Sequence, residues 1–325
     1  MPQVGTPRIT VLVITYNHEA YIRQAIESVL MQRLAEPYLV VVADDASSDG
    51  TRAIIKELFD AAGPEAPAVR FLDHAGNLGV TRNYQRAFAA CETDYVAVIE
   101  GDDYWITPEK LALQLAFLDT HRECAAASAN HFVYDEAEQR YAAKSSINPD
   151  FSYLDARSLI DNNLIGNFST CMYRLSALRA LPKGLFAGTA YDWGVNICVA
   201  RNALIGYLHT PLSVYRVHNG GTWSSLDMDE QHEAQLRVID HYNAVTDRIF
   251  ETEFKDLQGR LQLSIGRSGL RRPWLPRVRA ILHACVPPFI ILGSRWMGQK
   301  AVQLLVPPIL AIALRKYRAP QKGRI

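Results

Sequence analysis

The sequence predicts an α/β fold, a mostly parallel sheet flanked by helices, followed by a helical tail that is both basic and apolar. Three observations predict it. Short, continuous apolar runs alternate with amphipathic helical patterns through the first 122 residues, as expected of parallel strands buried on both faces. Each run ends in polar or acidic residues, where an open α/β sheet places its ligand. Every one of the twelve Lys, Arg, Asp and Glu side chains after residue 266 is basic, which sets the last stretch apart from the rest.

The elements follow in order. Ile9–Thr15 is a β-branched run, and the helical pattern from His18 to Arg33 puts Ile22, Ile26, Val29 and Leu30 on one face. Tyr38–Ala43 is a second strand, and Thr51–Ala62 is a helix after the Asp49-Gly50 turn. Val69–Leu72, a helix over Val80–Cys91, strand Tyr95–Ile99 and a helix over Pro108–His121 continue the alternation. After about residue 122 the rhythm changes. A strand near Cys124–Tyr134 leads into a polar loop from Asp135 to Asp150. Thr189–Arg201 and Glu230–Phe254 read as helices, and Leu204–Leu208 and Leu212–Val217 as strands flanking Pro211. The expected division is 1–122 for the first ligand, 123–228 for a second substrate, 229–266 as a helical extension and 267–325 as the tail.

With 325 residues, 49% of them apolar and 21% charged, disorder, collagen and coiled-coil classes are excluded. The balance of 34 basic against 34 acidic groups argues against a nucleic-acid partner. That balance is unevenly spread, because residues 1–266 hold 22 basic and 34 acidic groups. The tail has apolar stretches over 280–293 and 301–314, each interrupted by a Pro-Pro pair, with Trp274 and Trp296 near their ends. Neither reaches the roughly 20 residues of a spanning helix. Apolar segments with a basic rim predict contact of 267–325 with an anionic membrane surface, as interfacial or re-entrant helices. A helical pair packed on the domain is the plainer alternative. Five scattered cysteines without a C-x-x-C pair fit a reducing compartment. The first apolar run is too short for a signal-peptide core. The expected location is therefore cytoplasmic, peripheral or re-entrant on the inner face of the cell membrane.

The chemistry lies at the strand ends. Glu100-Gly101-Asp102-Asp103 follows the strand Tyr95–Ile99. Adjacent carboxylates repel one another and gain nothing from packing, so they point to a divalent cation, Mg²⁺ or Mn²⁺, between them and an anionic substrate. A solvated acidic turn would explain that segment alone. Thr15-Tyr16-Asn17, Asp44-Asp45 and Asn77–Asn83 lie at the neighbouring ends. An aromatic ring and a carboxylate so placed can stack on a base and accept its N–H, and Arg82 in the first turn of a helix can meet a diphosphate. Together these describe a nucleotide-diphosphate site. No G-x-G-x-x-G turn follows the first strand, so a dinucleotide oxidoreductase is poorly supported.

The ordered series ITYNHEAYIRQAIESVLMQ, DDASSDGT, GNLGVTRN and IEGDDYW resembles the inverting family 2 glycosyltransferases of the GT-A fold, over roughly residues 8–225. The resemblance implies transfer of one sugar from a nucleotide-diphosphate sugar, a uridine diphosphate sugar by default, to a hydroxyl of a growing glycan, expected to be lipid-linked and destined for the cell surface. It implies that Thr15, Tyr16, Asn17, Asp45, Arg82, Glu100 and Asp102 bind the donor, with Tyr16 stacked on the base and Asp45 bonded to it. Asp103 would ligate the metal directly, with Asp102 near it. Asp192, in Tyr191-Asp192-Trp193 at a helix head, matches the family's general base, and His218 matches a further metal or diphosphate ligand used by some relatives. Glu100 stands where many members have aspartate, and the Asn77-to-Arg82 spacing is shorter than the most frequent form. The QxxRW signature of processive synthases is absent. Transfer to polyprenyl phosphate and a non-catalytic nucleotide-sugar-binding subunit are the alternatives.

Overall fold

The computed structural model describes residues 5–73, 76–142 and 150–271. Residues up to Ile265 form one compact unit. The apolar stretches expected to meet a membrane lie outside the described residues. Among the described residues no helix is long and apolar enough to cross a membrane.

The first half runs β1 (Ile9–Thr15), α1 (Ile22–Leu30), β2 (Tyr38–Asp44), α2 (Thr51–Ala62), β3 (Ala68–Phe71), α3 (Val80–Ala89), β4 (Tyr95–Glu100), β5 (Tyr104–Trp105) and α4 (Lys110–Thr120). All seven residues of β1 are buried, because helices cover both faces of the sheet and leave no wet side for polar residues. Val11 and Val13 feed the layer under α1, α2 and α4, while Leu12 and Ile14 feed the opposite layer under α3 and the later helices. Burial of each such side chain contributes about 1.5–3 kcal/mol.

The second half adds β6 (Cys124–Asp135), β7 (Arg140–Ala142), β8 (Phe151–Leu154), α5 (Ala156–Asp161), β9 (Met172–Arg174), α6 (Leu175–Arg179), α7 (Asp192–Val199), β10 (Leu204–Val217), α8 (Met228–Val245) and α9 (Glu251–Arg271). The strand order is β3-β2-β1-β4-β9-β6-β10-β5, with β7 on β6 and β8 on β10. β3, β2, β1 and β4 are mutually parallel. The short β9 runs antiparallel between β4 and β6, and β10 is parallel to β6. Register aligns Thr15 with Asp44 and Ile14 with Glu100, so the polar ends of β1, β2 and β4 share one edge.

Four expectations change. The helix expected over 18–33 begins at Ile22, after a turn in which Tyr21 N–H donates to the His18 carbonyl. The helix expected over 230–254 is two helices. α8 starts on a capping box between Asp227 and Glu230, and the chain turns through Asp247 and Arg248, both left-handed with φ of 54° and 56°. The two strands expected around Pro211 are one strand, β10, whose register shifts on either side of Pro211. Proline has no N–H to give a ladder, so a bulge accommodates it. The polar loop expected over 135–150 holds β7, which pairs back onto β6.

Candidate active site

The acidic turn after β4 sits against the end of β1. Gly101 N–H donates to the Ile14 carbonyl at 2.8 Å, and Asp103 N–H closes the turn on the Glu100 carbonyl at 3.0 Å. A Cβ at Gly101 would lie 2.6 Å from Thr15 Oγ1 and 2.8 Å from His18 Nδ1, so only glycine lets the turn approach this closely.

The turn sends its three carboxylates in different directions. Glu100 Oε1 accepts from the buried Tyr84 hydroxyl at 2.7 Å. Asp102 Oδ2 lies 3.1 Å from His218 Nε2 and 3.7 Å from His18 Nε2. Asp103 is 1% exposed and accepts from Ser169 Oγ at 2.6 Å, Asn167 Nδ2 at 3.0 Å and Arg216 N–H at 2.9 Å. Both oxygens of Asp103, the residue expected to ligate a metal directly, are engaged by the protein, and Asp102 is the aspartate of the pair that lines the cleft.

Electrostatics follow the same division. Burial, with the charges of Asp102 and Asp103, pushes the Glu100 carboxyl well up. Burial opposes charge on Asp102 as well, but the His218 hydrogen bond and the nearby His18 hold it below the usual carboxylate range. Gly220 N–H donates to His218 Nδ1 at 3.2 Å, so in the neutral ring the proton sits on Nε2 and points at Asp102. The His218 ring is 8% exposed and lies 4.5 Å from the Tyr21 ring. Arg216 braces this corner: its guanidinium lies over Tyr21 and Tyr104, and it donates to the Asp102 carbonyl, Gln24 and Glu136.

A cleft of about 450 Å³ opens above the turn. It brings Glu100 and Asp102 together with Asp192, the first residue of α7. The positive helix end favours a carboxylate there, but burial pushes Asp192 up to about 6, against the Trp193 N–H and Asn163, which favour charge. Asp192 Oδ2 is buried without a donor among the described residues. A carboxylate with a pKa near 6 and one free oxygen can take a proton at neutral pH. Tyr191 and Trp223, with rings 5.7 Å apart, lie on the same cleft.

The other expected residues lie beside the cleft and do not line it. Tyr16 is 45% exposed, as a stacking ring requires. Thr15 is buried under Gly101. Asn17, at φ 53°, ties two loops, donating its N–H to Ser47 Oγ and accepting from Ser48 N–H. Asp45 accepts from the Leu78 and Gly79 N–H groups, both at 2.9 Å, at the head of α3. Arg82 is exposed in the first turn of α3 and has no ion pair or hydrogen bond among the described residues. Sequence reasoning missed His18, Tyr84 and Ser169. His18 was findable, because the polar end of β1 continues through it.

Among the described residues no group of three or more His, Cys, Asp or Glu is arranged as a ready-made metal cage. The donor set still fits a hard cation. Mg²⁺ and Mn²⁺ need only one or two carboxylates plus substrate phosphates, and the carboxylate repulsion that raises Glu100 would be relieved by positive charge.

Comparison with known proteins agrees with this architecture. The family model for glycosyl transferase family 2 matches residues 10–181. An uncharacterized protein of Mycobacterium tuberculosis, Rv1520, is 32% identical over 227 residues, covering 69% of this chain and 62% of that protein. The poly(ribitol-phosphate) beta-N-acetylglucosaminyltransferase TarS of Staphylococcus aureus is 31% identical over 115 residues, 35% of this chain and 19% of that one. Two solved structures share the GT-A-like fold. TarS 1-349 in complex with UDP-GlcNAc has a TM-score of 0.55 at 19% identity, covering 76% of this chain and 73% of that one. The mannosyltransferase PcManGT of Pyrobaculum calidifontis, in complex with GDP-Man and Mn²⁺, has a TM-score of 0.54 at 18% identity, covering 98% and 83%.

Proposed function

The chain belongs to glycosyl transferase family 2, and from that premise we propose that it moves one sugar from a nucleotide-diphosphate sugar to an acceptor hydroxyl with inversion. The observation that carries the proposal is the placement of Asp192 on the same cleft as Glu100 and Asp102. In an inverting transfer the acceptor oxygen attacks the anomeric carbon from one side while the diphosphate departs from the other. One carboxylate is then needed at the attacking hydroxyl and a separate charged group at the leaving group.

Asp192 takes the proton from the hydroxyl. Tyr16 stacks on the base, Asp45 accepts its N–H, and Thr15 and Asn17 shape that loop. Arg82 meets the diphosphate, and Glu100 faces the donor sugar, held by Tyr84. Asp102 would hold Mg²⁺ or Mn²⁺, with His218 orienting its carboxylate through Nε2–H. When bound, the cation supplies positive charge that offsets the charge developing on the diphosphate. The solved neighbours named with UDP-GlcNAc and with GDP-Man support a nucleotide-sugar donor without choosing the base.

The division at residues 122, 228 and 266 belongs to the same proposal, with the donor half first and the acceptor half second. The acceptor is a growing cell-surface glycan, lipid-linked, and the basic, apolar segment 267–325 brings the site to the inner face of the membrane.

The test is release of nucleoside diphosphate from uridine, thymidine and guanosine diphosphate sugars by the full chain. One donor should be hydrolysed with Mg²⁺ or Mn²⁺ and spared with chelator. No release from any donor with either metal would contradict the proposal.

A further inference from the structure

The wall of the cleft facing the acidic turn has a chemistry of its own. Asn163 Oδ1, Asn167 Oδ1 and Asp192 Oδ2 are buried acceptor atoms with no hydrogen-bond partner among the described residues, and all three residues line the cleft. Asn167 gives its Nδ2 to Asp103, which fixes its amide and leaves the carbonyl oxygen as the free end. A buried acceptor without a donor costs about 1–3 kcal/mol, and folded proteins keep few of them. Three around one cleft call for a ligand that brings O–H groups.

Charge around the cleft points the same way. Glu100, Asp102 and Asp192 line the cleft. Among the described residues the one arginine lining it, Arg216, spends its guanidinium on the Asp102 carbonyl, Gln24 and Glu136, and no described lysine lines it. Beside Asn163, Asn167 and Asp192 an ionised phosphate ester, which has only acceptor oxygens, would meet acceptors and a carboxylate. A sugar ring has hydroxyl donors for the amide oxygens and C–H faces for Tyr191 and Trp223, whose rings are tilted 68° to each other.

Resting on the transferase reading above, we infer that the acceptor is the uncharged, polyhydroxylated sugar end of a glycan and not a polyprenyl phosphate. Asn163 and Asn167 accept hydrogen bonds from hydroxyls of that sugar, and Asp192 accepts from the one that reacts. The acceptor C–O–H oxygen forms the new bond to the anomeric carbon. The bond from that carbon to the diphosphate oxygen breaks, its electron pair leaves with the nucleoside diphosphate, and the hydroxyl proton passes to Asp192. The products are a glycoside, a nucleoside diphosphate and one proton released later to solvent.

The experiment uses the full chain with the donor it hydrolyses. Nucleoside diphosphate release is measured against water, a panel of neutral octyl hexosides and N-acetylhexosaminides, and undecaprenyl phosphate in detergent. At least one neutral glycoside should raise release about tenfold, and undecaprenyl phosphate should not. Asn163→Leu should raise the acceptor KM about tenfold with a smaller effect on kcat. Stimulation by undecaprenyl phosphate with a phosphodiester-linked product, or by none of the glycosides, overturns the inference while metal-dependent hydrolysis still upholds the transferase reading. Absence of hydrolysis with every donor removes both.

Discussion

His218 Nε2 lies 3.1 Å from Asp102 Oδ2, while the neighbouring carboxylate of Asp103 meets only protein donors. Two adjacent aspartates therefore have separable roles. Asp102→Ala should reduce metal-stimulated nucleotide-sugar hydrolysis at least about 100-fold and lower the melting temperature less than Asp103→Ala does, because Asp102 lines the cleft and gives up one side-chain contact, to His218. Asp103→Ala should strand Ser169, Asn167 and the Arg216 N–H, costing about 3 kcal/mol or more in stability. Melting curves and hydrolysis rates for the two variants decide between these roles. A stable, inactive Asp103→Ala beside an active Asp102→Ala would reverse them.

Gly101 is the second point of control. Its Cβ position is 2.6 Å from Thr15 Oγ1 and 2.8 Å from His18 Nδ1, so Gly101→Ala must push the turn off β1 at a cost of about 1–3 kcal/mol. The displaced turn carries Asp102, so a higher metal concentration for half-maximal activity should accompany the lower stability. Metal titration of the variant reads this directly, and an unchanged titration would contradict it.

Asp192 links activity and stability to pH in opposite ways. Its carboxyl is raised to about 6 by burial, above the unfolded value. Such a group favours the folded state below the unfolded pKa, and that contribution is lost as pH rises through about 6. Ionisation at neutral pH then costs up to about 3 kcal/mol, the shift converted at 1.36 kcal/mol per unit. Asp192→Asn should accordingly be more stable than the native chain at pH 7 and no more stable near pH 3.5. Denaturant midpoints at the two pH values measure it. Transfer by the native chain should fall off below pH 6 as the base is protonated.

The first half of the fold is legible in the sequence because its strands are buried on both faces. Runs such as Ile9–Thr15 then have no competing pattern, and the helices between them carry one apolar face. What stays hidden has physical reasons. β5 and β9 are two and three residues long, too short for any period, and they form only because β10 and the β4–β6 gap offer partners. The break at Asp247–Arg248 interrupts no apolar stripe and carries no Gly or Pro. Asp102 and Asp103 give the same signal in sequence, and only the turn decides which one faces the cleft. Asp192 and the acidic turn are legible as helix-head and strand-end acids, whereas the unpaired amide oxygens of Asn163 and Asn167 exist only in three dimensions.

The basic tail predicts a separate behaviour. Full-length protein should bind anionic vesicles less tightly as salt rises, and a chain ending at residue 266 should not bind them while still hydrolysing the donor. Flotation assays at low and high salt measure both, and equal binding by the truncated chain would place the membrane contact elsewhere.

The most direct test of the proposed chemistry is kcat for transfer to a neutral glycoside by Asp192→Asn at pH 7. General base catalysis contributes about 10²–10⁴-fold, so the variant should lose at least about 100-fold while melting no lower than the native chain. A folded Asp192→Asn that transfers within about threefold of the native rate would show that the carboxylate at the head of α7 is not the base.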